Sequence, residues 1–258
     1  MTMILTYLPY FLLVFVRLTA FFISAPIFST RGVPNQVKVG LAFIIAFIST
    51  FYVPYHGNIP TDLTIVVYIL KEAIVGLLLG FILQLLFYAV QVAGGLMDMQ
   101  MGFAMANVID PRTGAYVPIT GSFKNLLATL YFLSIDGHHM MIRGIISSYK
   151  AISVDKMWIS LGNENLLLFI AKTFSQMFAS AFLIAAPIVV ALFLVDLSLG
   201  IIAKTVPQFN IFVVGMPIKV LASFFLLFVL MPAFFVVLGS LFQKMFTAMS
   251  ELMLLLGG

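Results

Sequence analysis

Long apolar blocks leave few folds open to this chain. They cover residues 3–28, 39–53, 63–92, 126–135, 166–195, 209–217 and 220–242. A helix needs about 20 apolar residues to cross the hydrocarbon core of a bilayer, and the longer blocks reach that length. Only 9% of residues are charged and 63% are hydrophobic, whereas soluble domains carry about a quarter charged residues. An all-α, multi-pass membrane protein is the expected class. Blocks 39–53, 126–135 and 209–217 are too short to span unaided, so some helices should be half-spans, tilted, or buried in protein rather than lipid.

The remaining composition excludes several functions. The formal charge of +4 is spread along the chain and never clusters, so no nucleic-acid-binding stripe forms. Zero cysteines rule out disulfides, thiolate nucleophiles and Cys-ligated metals. The first block carries Arg17 and lacks a positive start or a convincing cleavage site, so it reads as a retained helix. Residues 54–62 hold two prolines, Gly57 and Asn58, and read as a loop. Residues 136–165 form the longest polar connector. It carries Trp158, a residue type suited to a membrane interface.

Charge placement argues against a conventional bundle. With the Arg31–Lys38 connector inside, the 54–62 loop lies outside and Arg112 and Lys124 return inside. The next connector should then be outside, yet it carries Arg143, Lys150 and Lys156, against the positive-inside rule. Arg17, Lys71, Glu72, Lys172, Asp196, Lys204, Lys219 and Lys244 each lie in or beside an apolar block. Charges there need partners or water. Positives outnumber acids, so some partners are expected from other subunits. Snorkelling at helix ends is the plainer reading, weakest for Arg17 and for Lys71 with Glu72. Those last two point about 100° apart on a helix and need not pair.

Residues 94–114, GGLMDMQMGFAMANVIDPRTG, differ from every block around them. Four of the fifteen methionines fall at Met97, Met99, Met101 and Met105, among Gly94, Gly95, Gly102, Asp98 and an Asp110-Pro111 step. The acids are costly in hydrocarbon, and glycine and proline weaken helix. Irregular polar backbone at membrane depth is tolerated where protein covers it or where it lines a cavity. Adaptable Met side chains suit a surface that must fit many shapes. The stretch is expected to be irregular and to form a pore or constriction. Asp110 reads as a turn residue. Asp98 reads as a capping or pairing residue, with proton relay as the alternative for both acids.

No catalytic, cofactor or metal site emerges. Adjacent His138 and His139 diverge on a helix and make a poor chelate, for which i, i+4 spacing is better. Asp136 before them reads as a helix N-cap. His56 stands alone in a loop. Nucleophile-elbow, zinc-protease and phosphate-loop motifs are missing. Gly76 and Gly80 give a GLLLG spacing that permits close helix packing.

Four segments resemble signatures of the FliR/SctT group of type III export proteins. They are SAPIFSTRGVPNQVKVGLA (24–42), QVAGGLMDMQMGFAMANVIDP (91–111), IDGHHMMI (135–142) followed by Ser148-Tyr149, and PQFNIFVVGMPIKV (207–220). They occur in the group's order. Ile109-Asp110-Pro111 and the GHH motif favour its flagellar branch over the virulence-injectisome branch, the SctT subunits, which remain the alternative; a stand-alone proton-coupled transporter ranks below both.

The resemblance implies an export-gate subunit without enzymatic activity in the bacterial cytoplasmic membrane, within the flagellar basal body. Its partners would be FliP, FliQ, FlhB, FlhA, membrane lipid and unfolded flagellar proteins, with no nucleic acid. It implies a FliP-like helical portion (1–165) followed by a FliQ-like helical hairpin (166–258), within a cone-shaped hetero-oligomer of helical hairpins. The tail AAPIVVALFLVDLSLGIIAKTVPQFN (185–210) is similar to FliQ. The group's plug loop maps onto 100–118. Gln100, Met101, Gly102, Phe103, Met105, Ile109, Asp110, Pro111 and Gly114 would be its residues, the two glycines supplying backbone freedom. Arg17, Lys71, Glu72, Asp196, Lys204 and Lys219 would be buried charges at subunit contacts.

Overall fold

The computed structural model describes residues 2–30, 32–51, 59, 62–103, 118–160, 162–206 and 211–257. Among them lie eight α-helices and no strand: α1 (Thr2–Ser24), α2 (Asn35–Ser49), α3 (Ile65–Met101), α4 (Ile119–Ser134), α5 (Gly137–Ala151), α6 (Glu164–Thr205), α7 (Ile211–Val229) and α8 (Met231–Gly257). Four are long and apolar enough to cross a membrane, within Tyr7–Ser24, Ile65–Met101, Glu164–Thr205 and Met231–Gly257. This is an all-α membrane protein. At 1.5 Å per residue, the 37 residues of α3 extend about 55 Å and the 42 of α6 about 63 Å. Both exceed the roughly 30 Å hydrocarbon core, so each has turns that lie outside it or are covered by protein.

Three sequence-based boundaries change. The connector 136–165 is helical over α5, whose polar residues conceal the buried stripe Met141, Ile145, Ser148 and Tyr149 at helical spacing. Pro217 does not end a block but sits inside α7. The break falls at Leu230 instead, one residue before α8 begins. Pro232 follows in the first turn of α8, where a missing N–H leaves no helical bond unmade.

The chain forms two compact units. The first comprises Met1–Phe87, Asp136–Phe174 and Gln243–Gly258; the second comprises Tyr88–Ile135 and Ser175–Phe242. Helices α3, α6 and α8 each contribute to both.

In the first unit, α1 meets α2 through Phe43, whose ring stands edge-on to Phe11 and Phe15 at 5.3 and 6.1 Å. The GLLLG spacing lets α1 approach α3. A Cβ on Gly76 would overlap the Arg17 carbonyl and stand 2.9 Å from Ala20 Cβ, and one on Gly80 would overlap Ser24 Oγ. Gly144 of α5 faces Met249 of α8 in the same manner. In the second unit, Phe132 of α4 stands edge-on to Phe242 of α8 at 4.9 Å.

Many large apolar side chains remain exposed, including Phe174, Phe182, Phe193, Leu197 and Ile201 along α6 and Leu221, Phe225 and Phe228 along α7. Surfaces this apolar require lipid or another polypeptide against them.

Candidate functional site

The methionine-rich stretch begins inside α3, which stays helical to Met101. The expectation of irregular backbone from Gly94 onward is corrected. Each glycine costs a helix about 1 kcal/mol relative to alanine, and tertiary contacts offset it. Gly94 lies so close to Gly121 of α4 that a Cβ would overlap the Gly121 backbone.

Asp98 is fully buried one turn further on. Its Oδ1 accepts from the Thr120 backbone N–H at 3.1 Å and from the Thr120 hydroxyl. That hydroxyl also lies 3.0 Å from the Gly94 carbonyl, and its single proton serves one acceptor at a time. Pro118 provides no side-chain cap to α4, so Asp98 satisfies a first-turn N–H from a neighbouring helix. This gives the capping reading of Asp98 a physical form. Its Oδ2 has no hydrogen-bond partner among the described residues.

At Gly102 the backbone turns to φ +86°, the left-handed conformation in which glycine ends helices without strain. Four contacts gather around this end. Gln100 Nε2 donates to Asp196 Oδ2 of α6 at 2.9 Å. Lys219 Nζ of α7 donates to the same oxygen at 2.7 Å. Phe103 lies 6.1 Å from Phe224 of α7, centroid to centroid, and Met216 Sδ would be 3.5 Å from a Cβ on Gly102. Met101, the last residue of α3, is fully buried. Met105, Ile109, Asp110, Pro111 and Gly114 lie outside the described residues. The described start of the 100–118 segment is thus pinned to α6 and α7 by one shared carboxylate oxygen and a flanking aromatic contact.

The other charges in or beside apolar helices separate into classes. Arg17, Lys71 and Glu72 are buried together. Arg17 grips Glu72 through both Nε and Nη2, the latter at 3.0 Å. Its Nη1 donates to Ser148 Oγ at 3.0 Å and its Nη2 to the Ile152 carbonyl at 2.9 Å. The guanidinium lies 4.2 Å over the Tyr149 ring. Lys71 and Glu72, which did not need to pair, are 2.7 Å apart. Lys71 also donates to the carbonyls of Ser153, Val154 and Lys156 at 2.8–3.1 Å.

Asp196 and Lys219 are only partly buried, their side chains 40% and 16% exposed. Lys204 is exposed on the chain taken by itself. It lies one residue from the end of α6, where a long stem carries the ammonium outward. Lys124 is a buried cation that sequence reading did not single out. It lies 4.5 Å from the Phe234 ring.

Asp136 is also corrected. It precedes α5 with φ 57°, and its side chain makes no cap bond. It faces His139 Nδ1 at 3.3 Å instead.

With this geometry in place, comparison with known proteins settles the family. The model of bacterial export proteins, family 1, matches residues 8–245. The chain belongs to this family. It is 45% identical over 257 residues to the flagellar biosynthetic protein FliR of Bacillus subtilis, covering 100% of this chain and 99% of that one. It is 29% identical to the FliR of Escherichia coli, covering 92% and 89%. It is 30% identical to the surface presentation of antigens protein SpaR of Shigella flexneri, covering 84% and 82%. The family's match includes the helices that carry the Gln100–Asp196–Lys219 knot. Nothing local in the sequence marks Thr120 or Met216 as contacts of this region, because each is brought there from a distant helix.

Proposed function

We propose that this chain is a subunit of the flagellar type III protein export gate. It acts with FliP and FliQ, beside FlhB and FlhA, in the bacterial cytoplasmic membrane at the flagellar basal body. It forms part of the conduit for unfolded flagellar proteins, and residues 100–118 plug that conduit. Residues 1–165 are its FliP-like portion and 166–258 its FliQ-like helical hairpin. The chain contributes a passage and a seal, not a reaction step. The 45% identity to a flagellar protein, against 30% to SpaR, favours the flagellar branch over the injectisome.

The observation that carries the plug reading is the knot at the root of the segment. A seal must be held firmly at its base while its apolar side chains yield to diverse polypeptides. Gln100, Asp196 and Lys219 provide that base by fastening the end of α3 to two other helices.

Deleting residues 102–114 tests the reading. Cells should assemble the gate yet leak ions across the membrane, read as increased conductance. A fully assembled gate with unchanged conductance would remove the plug assignment. Transport by this chain without FliP and FliQ, abolished by Asp98→Asn, would instead establish a stand-alone transporter.

A further inference from the structure

We propose that Asp136, His138 and His139 form a surface site for a divalent first-row transition ion, of which zinc is the representative. Adjacent histidines on a regular helix diverge, yet here the two rings lie 4.1 Å apart, centroid to centroid. One ligand atom from each of the three side chains falls within 4.8 Å of the others. The left-handed backbone at Asp136 turns its carboxylate away from capping and toward His139. Nδ1 of His138 is shielded from solvent and has no hydrogen-bond partner among the described residues. These atoms are otherwise weakly employed.

The donor set defines the ligand class. Two imidazoles and one carboxylate suit zinc, nickel, cobalt or copper, whereas magnesium and calcium favour all-oxygen cages. Metal–nitrogen and metal–oxygen bonds of about 2.0–2.2 Å place neighbouring donors about 3.3 Å apart around a tetrahedral ion, closer than the present spread. Side-chain rotation would supply the tightening. The His139 and Asp136 side chains are 60% and 75% exposed, so little packing opposes it. The first turn of α5 disfavours a cation; the negative carboxylate of Asp136 opposes that effect. Three protein ligands leave the remaining positions to water. Bound metal would clasp the residue before α5 to the helix's first turn. The far end of α5 carries Ser148 and Tyr149, which hold Arg17, so the clasp would stiffen a helix on which the buried charge network depends.

The test uses the full chain, purified in detergent without a histidine tag and titrated with Co²⁺ alone. Saturable one-to-one binding is expected, with visible absorption of low coordination number and displacement by Zn²⁺. His138→Ala and His139→Ala should each weaken affinity by about tenfold or more through loss of a ligand, and Asp136→Asn should weaken it less. His56 remains in every variant, so binding undiminished in the double histidine variant would overturn the site. Absence of saturable binding would overturn it as well. X-ray absorption of the zinc-loaded wild type decides the matter even if a variant misfolds. Two imidazole scatterers are expected, and an all-oxygen shell would refute the proposal.

Discussion

At the scale of single residues, the dominant feature is the fully buried Arg17–Glu72 pair with Lys71 beside it. Such a pair is weak evidence of net stability, because desolvating both charges offsets much of their attraction; removing one partner is far more costly, at about 3–5 kcal/mol. Glu72→Ala should therefore destabilise the chain by that order, since Arg17 and Lys71 lose the acid between them. Thermal unfolding in detergent reads the loss. The double variant Arg17→Met/Glu72→Leu should be clearly more stable than Glu72→Ala alone. Equal stability of the two would show that the pair's ionic character is not what holds α1 to α3. Asp98 has a different local role. Its Oδ1 serves the start of α4 through Thr120, so the effect of losing it is on helix–helix registry.

At the scale of elements, the end of α3 is where sequence-based expectation and structure differ most. Two glycines and an acid lowered the helical expectation for residues 94–101, yet the helix continues because Gly94 and Gly121 let α3 and α4 touch. The break comes at Gly102, where the backbone becomes left-handed. The described start of the segment is held by Gln100, Asp196 and Lys219. The ion pair is partly exposed, and such pairs contribute only about 0–1 kcal/mol. Lys219→Met should therefore leave overall stability nearly unchanged while releasing one of the two bonds on Asp196. The expected outcome is an assembled gate with raised ion leak, repaired by the charge swap Asp196→Lys/Lys219→Asp. Leak equal to wild type in Lys219→Met would show that the knot does not hold the seal.

At the scale of the whole molecule, the chain is too apolar on its surface to face water, and α3 and α6 are longer than a bilayer's hydrocarbon core. Only four of the eight described helices meet the length and hydropathy of a span, which accounts for a positive-inside count that does not close. The exposed apolar residues of α6 and α7 call for protein or lipid contact. Purified gently from membranes, the chain should bring FliP and FliQ with it. Loss of both partners under mild detergent, with the chain monodisperse and export intact, would count against the shared-gate reading. The charges expected at subunit contacts find much of what they need inside the chain: Arg17, Lys71 and Glu72 are satisfied by one another and by residues 148–156, and Asp196 by Lys219.

The sequence by itself determined the membrane class, the all-α character and the family. Hydropathy sets transfer free energy residue by residue, and the family's motifs are contiguous along the chain. It also marked residues 94–114 as a distinct segment through their contrast with the apolar blocks, whereas the narrower 100–118 followed from the family resemblance. Only the tertiary structure decided where α3 ends, how far α5 extends, that Asp98 serves α4, and that Asp136 turns toward His139 instead of capping. Each of these depends on a contact between residues far apart in sequence or on a backbone angle that no local pattern sets. A glycine that weakens an isolated helix permits the close crossing that keeps this one intact.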